Sequence, residues 1–358
     1  MSIRSLGRYA FIQAKLRTRI GSMLTQEHMD QLMRSQTLDE LFHALRGTPY
    51  EPLLDIYDES GDVQRLEGWL FARNIELHQE VAKLLEGIHA DAVLAMTRKL
   101  EVENLKGVIR LWFSNTIKQQ NIDYRFGYLY QDRIVSDIDW TRIANAENYD
   151  EVVEALRKTP YETAVKQWSG KEIAEEGLFS LETALDRTWI HLLRRVVDKL
   201  PAEDGDLALS VLDRDADLKN SINLVRFGSL YQLSEEQLRT LMIEGGTLVD
   251  SREFSSYLNL PAEQRSPQLL VAKRFPDLAK QLEAMGKVQA EVQTRVVEQY
   301  LFTVRSKSFQ SMLRGNPFSF GIILAYFFLE ERQDAMIRIL INGIYYGWDS
   351  ATIREFAI

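Results

Sequence analysis

The chain of 358 residues contains no cysteine, so disulfides and thiol catalysis are excluded and a reducing interior is its natural home. Glycine (19) and proline (8) are scarce, which favours long regular elements over loops. No hydrophobic run is long enough for a bilayer. The most apolar stretch, Phe318–Leu329, would make a helix of about 18 Å against the roughly 30 Å of a hydrocarbon core, and it reads as a buried helix. Basic excess is lacking too: 52 acidic against 43 basic residues give a net charge of −9, which argues against a dedicated nucleic-acid binder. Period-two alternation is rare, so the chain reads as all-α with strands few or absent. A hydrophobic fraction of 45% supplies a sizeable core.

The first acid is Glu27, and Arg4, Arg8, Lys15, Arg17 and Arg19 precede it. Leu6, Tyr9, Ile12, Ala14 and Leu16 run through the same stretch, which is expected to be the first helix of the fold and not a transit peptide.

What the sequence does contain is internal repetition. Residues 29–54 align without a gap on residues 140–165. Thr37 and Asn148 are both good helix N-caps, each with a glutamate three residues on, Glu40 and Glu151. Leu38, Leu41, Phe42 and Leu45 then match Tyr149, Val152, Val153 and Leu156, at spacings that share one helical face. Each copy runs into Thr-Pro-Tyr, at 48–50 and 159–161, where proline is expected to stop a helix of about ten residues. Further along, Leu66-Glu67 with Leu70 matches Leu181-Glu182 with Leu185. An acid-x-x-Asn pattern with a later arginine occurs as Glu101, Asn104, Arg110 and again as Asp217, Asn220, Arg226. Its recurrence favours a structural role, such as tying adjacent helices within each unit, over an active site.

A weaker third copy follows. Ser266-Pro267 can open a helix with Leu269, Leu270 and Val271, and Val297-Glu298 with Leu301 repeats the middle element. Glu331 and Asp334 are read at the positions of the acid and the Asn, with Leu340 in place of the arginine. The expectation is three helical units, 1–118, 119–232 and a diverged 233–358.

Chemical signatures are lacking. There is neither a Gly-x-x-x-x-Gly-Lys-Ser/Thr loop nor a Gly-x-Gly-x-x-Gly turn. Gly245-Gly246-Thr247 follows a helix expected to open at a Ser234–Gln237 capping box, and reads as a left-handed helix stop. The histidines at 28, 43, 78, 89 and 191 form no His-x-x-x-His pair, and His43, matched by Glu154, reads as a solvated or satisfied side chain. Asp213, Asp215 and Asp217 mimic the start of an EF-hand, but Leu218 and Leu224 occupy the glycine and glutamate positions. They are expected to be a solvated helix start whose acids complement the macrodipole. No catalytic, cofactor-binding or metal-binding residue is assigned.

Taken in order, the Tyr9 and Leu24 region, Leu-Arg-x-Thr-Pro-Tyr at 45–50 and 156–161, the segment Glu101–Arg110, Asn316–Tyr326 and Ile344–Trp348 resemble one family over nearly the whole chain. This is the family of the C subunit of the archaeal and bacterial V-type (A-type) ATPases and ATP synthases, whose counterpart in the eukaryotic V-ATPase is the d subunit. The resemblance implies three similar helical domains in a pseudo-threefold funnel on the cytoplasmic side of the membrane. The mouth would receive the D and F subunits of the central stalk, the base would rest on the proteolipid ring, and the chain would pass torque without catalysis or cofactor. Residues contacting those partners are not assigned, and Ser114–Asp137, which aligns poorly, has room for an insertion. Two other readings are a helical-repeat scaffold of an unrelated soluble complex and an all-helical enzyme. The scaffold would show many repeats of 30 to 50 residues; the enzyme would show converging acids.

Overall fold

The computed structural model describes residues 3–225, 235–261, 264–286 and 290–356, and all regular structure among them is helical. Helix α1 (Ile3–Gly21) leads into short α2 (Gln26–Leu32), α3 (Leu38–Ala44) and α4 (Pro52–Ser60), then long α5 (Val63–Lys83) and α6 (Gly87–Trp112). A second series has short α7 (Trp140–Ala144), α8 (Tyr149–Ala155), α9 (Glu162–Val165) and α10 (Gly170–Glu176) before long α11 (Phe179–Val197) and α12 (Ala202–Val225). The third has α13 (Glu235–Thr240), α14 (Arg252–Leu258), α15 (Pro267–Val271) and α16 (Pro276–Ala284) before long α17 (Ala290–Arg314) and α18 (Gly321–Tyr345). Helix α19 (Ser350–Phe356) ends the described chain.

Two compact units form, one from Met1–Val196 with Pro317–Ile358 and one from Val197–Asn316. In the first, α18 packs against α1, α3 and α5. In the second, α12 packs against α15 and α17. Tyr9, Ile12 and Leu16 form the buried stripe of α1, at i, i+3 and i+7, whereas Ala14 is exposed. The apolar stretch at 318–329 supplies the start of α18, which begins at Gly321 and buries Ile322, Ile323, Tyr326 and Phe327. No helix among the described residues is long and apolar enough to cross a membrane.

The two Thr-Pro-Tyr copies fold alike, bond for bond. Thr37 and Asn148 cap α3 and α8 by accepting from the amides of Glu40 and Glu151. The glutamates reach one residue further back than a capping box, to the amides of Gln36 and Glu147. Each helix is seven residues long, shorter than the ten expected, because the stop comes before the proline. Gly47 (φ 74°) and Lys158 (φ 65°) turn left-handed at matching positions. Their amides donate to Glu51 and Glu162. Thr48 and Thr159 then donate to the carbonyls of Leu45 and Leu156, each at 2.6 Å, and accept from the amides of Tyr50 and Tyr161. This geometry sends both tyrosines, fully buried, inward.

Leu45 and Leu156 are also buried, at 1% and 0% exposure. Leu45→Asp and Leu156→Asp should each cost more than about 3 kcal/mol by burying an unpaired charge; an unchanged denaturation midpoint would remove these residues from the core face. At position 158 a lysine holds a conformation that glycine enters freely. Lys158→Gly should therefore raise stability by about 0.5–1 kcal/mol in urea unfolding, the relief of strain exceeding the added chain entropy.

Candidate functional site: three buried acid and amide clamps

The recurring acid and amide pairs each lock a long helix onto the backbone that leads into another set of short helices. On α6, the Asn104 side chain donates to the carbonyl of Tyr130 at 2.8 Å and accepts from the amide of the same residue at 3.0 Å. On α12, Asn220 grips Ile243 in the same two-way fashion, at 2.9 and 2.7 Å. On α18 the grip belongs to Gln333, which donates to the Leu24 carbonyl at 2.9 Å and accepts from its amide at 3.2 Å. Each amide thus acts like one rung of a β-ladder offered by a helix.

One turn before each amide sits a carboxylate. Glu101, 0% exposed, accepts from the amides of Val135 and Ser136, the Ser136 hydroxyl, Arg98 and the Tyr161 phenol, the last at 2.8 Å. Asp217 accepts from the amides of Thr247 and Leu248 at 2.8 and 2.7 Å, with Arg274 3.6 Å away. Glu330 pairs with Arg73 at 2.8 Å, and Asp334, a turn further on, takes Arg73 at 3.0 Å and the Tyr50 phenol at 2.8 Å. Tyr50 and Tyr161 thus do the same task from matching Thr-Pro-Tyr turns.

The third copy of the pattern is therefore Glu330 and Gln333, one residue earlier than the sequence register of Glu331 and Asp334. Glu331 instead pairs with Lys99. Glutamine for asparagine hid the match, because the longer side chain preserves the grip while changing the letter. The missing arginine has a counterpart as well. Arg110 holds Glu182 with two bonds, and Asn342 donates to Glu67, the residue matched to Glu182, at 2.7 Å. Arg226 lies outside the described residues.

The aspartate cluster is not a solvated helix start, because α12 already begins at Ala202 and places these residues in its middle. Asp213 accepts from the Gly246 amide, Asp215 faces Arg305, and Asp217 is the clamp. Gly245 (φ 106°) and Gly246 (φ 72°) are left-handed as expected, but they are not the helix stop, because α13 already ends at Thr240. Only glycine fits at 246, since a Cβ there would lie 2.1 Å from Asp217 Oδ1. The carboxylates of α12 occupy the amides of 246–248, so no phosphate cradle is open there. Ser234, proposed to cap the preceding helix, lies outside the described residues. His43 is exposed beside Asp39. Among the described residues no three His, Asp or Glu are grouped to hold a metal ion.

The α18 clamp is electrostatically unlike the other two. Two carboxylates share one guanidinium, no loop amide among the described residues donates to either, and Asp334 Oδ2 is buried without a partner. Burial lifts the Asp334 carboxyl from its ordinary 3.8 to about 6; the Glu330 charge adds to this, while Arg73 and Tyr50 oppose it. Burial, and next the Asp334 charge, push the Tyr50 phenol up, so it stays a donor. His78, stacked on Phe327 at 3.7 Å between ring centres, is lowered to about 4 by burial and stays neutral.

A raised carboxyl pKa in the fold contributes stability below the unfolded value, and that contribution is lost as pH rises through the folded one. Asp334→Asn keeps an acceptor for Tyr50 and Arg73 but removes the titration. Relative to the parent chain, its stability should improve by about 2–3 kcal/mol between pH 4 and pH 7. Urea unfolding at both pH values measures this, and a difference independent of pH would contradict the assignment.

These clamps sit in a chain whose relatives can be identified. The model of the ATP synthase (C/AC39) subunit family matches residues 12–356. The C subunit of the A-type ATP synthase of Thermococcus kodakarensis is 22% identical over 348 residues, covering 97% of this chain and 90% of the relative. The proteins of the same description from Methanococcoides burtonii and Methanobrevibacter smithii are each 21% identical, covering 98% of this chain and 94% and 88% of their own lengths. With a match that runs through all three clamps, the chain belongs to the ATP synthase (C/AC39) subunit family.

Proposed function

We propose that this chain is the non-catalytic central-stalk adaptor of a rotary ATPase or ATP synthase. In this reading it seats the D and F subunits of the stalk on the proteolipid ring, on the cytoplasmic side, and carries torque between ion translocation and the catalytic head. It attaches to the membrane through the ring and not through a span of its own. The division into units 1–118, 119–232 and 233–358 around a funnel belongs to the same proposal.

The observation that carries it is the mechanical character of the clamps. A torque coupling must resist sliding of one helix past another, and hydrophobic contacts alone are non-directional. Each clamp adds directed bonds in a water-poor interior, where slippage would strand a buried carboxylate or amide without partners. Glu101 and Asp217 are held by internal donors, which suits a part that transmits force better than a reaction centre.

The test is to tag the chain in its own cells, solubilise the membranes gently in detergent, and identify what copurifies. Stalk and proteolipid subunits are expected together. A soluble complex that lacks both would support an unrelated helical scaffold and overturn the proposal.

A further inference from the structure

The geometry points to a binding site, in the hollow beside the end of α6, for a phosphate monoester carried on an apolar body. The hollow has a volume of about 550 Å³ and lies within the first compact unit. Leu111, Leu129 and Leu178 give it an apolar floor, while Arg110, Lys118 and Arg125 supply three cations, and no acid among the described residues lines it. In a chain of net charge −9 this is a local reversal of sign.

Two of the three cations have no acidic partner among the described residues. Arg110 is neutralised by Glu182. Lys118 lies over the Phe113 ring, 5.3 Å from its centre, and Arg125 meets the neighbouring Tyr124, through its hydroxyl at 3.3 Å and its ring at 5.9 Å. Two unneutralised positive charges match the charge of about −1.5 to −2 on a phosphate monoester at neutral pH, and the leucine floor suits an aliphatic or aromatic body.

The backbone around the hollow is specialised. Beyond Trp112, α6 widens into a π-helical turn, Phe113–Ile117, closed by the Lys118 amide on the Phe113 carbonyl at 3.0 Å. Such turns concentrate at functional sites. Gln119 follows with φ 55°, a left-handed conformation costly for a residue with a side chain. Asn115 then accepts from the Ile122 amide at 2.9 Å and donates to Asp123, folding the segment back so that Lys118 and Arg125 line one space. Gly177 (φ 81°) leaves another wall without a side chain.

Titration of the full chain with hexyl phosphate, followed by methyl NMR, tests the assignment. Saturable shifts are expected at Leu111, Leu129 and Leu178, with inorganic phosphate and hexanol each at least about tenfold weaker because each supplies half of the recognition. The double variant Lys118→Ala/Arg125→Ala should lose about tenfold or more in affinity at an unchanged unfolding midpoint, since both side chains are exposed and unpaired with acids. If the double variant unfolds early, the single variants Lys118→Gln and Arg125→Gln are each expected to weaken binding about threefold or more. A parallel arm compares vesicles of phosphatidic acid with phosphatidylcholine. Sedimentation with the former alone, lost in the double variant, identifies a lipid headgroup as the source; hexyl phosphate binding without sedimentation identifies a soluble ester. Absence of saturable shifts, equal affinity for hexanol, or full binding by the variants would overturn the proposal.

Discussion

A carboxylate taken out of water must be given donors or a proton, and the whole architecture turns on how three long helices meet that demand. At Glu101 and Asp217 the donors include two successive backbone amides of a neighbouring segment, so satisfying the charge and docking the segment are a single event. The amide side chain one turn later fixes the register of that segment, because a slip of one residue would break both bonds at once. Packing supplies most of the attraction; the clamps decide which of many similar packings is adopted.

Much of this was legible in the sequence. The first two copies could be aligned because cap, apolar face, Thr-Pro-Tyr turn and acid-x-x-Asn each need particular residue types at fixed spacing. Less visible was the direction of the tie. Glu101 and Asn104 bind a segment 26 to 35 residues downstream instead of fastening helices already adjacent, and helical periodicity carries no information about such a partner. The left-handed Lys158 was also hidden, since lysine gives no hint of a positive φ that its counterpart Gly47 announces. Asp213–Asp217 looked like a solvated cluster because alternate acids on a helix suggest water, whereas the donors come from residues 246–248.

The third copy shows how function at a position survives a change of letter. Glutamine replaces asparagine and still grips its partner's backbone, while Asp334 and Glu330 divide between them the arginine and tyrosine contacts that Glu101 makes alone. The division leaves a carboxyl oxygen without a donor, and burial then favours its protonated form. Relatives 21–22% identical span almost the whole chain, so membership of the family tolerates a change of letter at most positions.

The grip of Gln333 on Leu24 joins residues 309 apart in the chain, whereas Glu101 reaches Tyr161 across only 60. During synthesis the α6 clamp can close while the ribosome is still at work on the middle of the polypeptide. The surface of α3 and α5 that α18 covers has to wait until α18 is made, and the Tyr50–Asp334 bond there joins residues 284 apart. Until then a nascent chain of this protein carries an uncovered apolar face, including Leu41 and Leu70. Closing so long a loop is slow compared with local helix pairing, so this face stays open to unwanted contacts longer than any surface covered by a sequence neighbour.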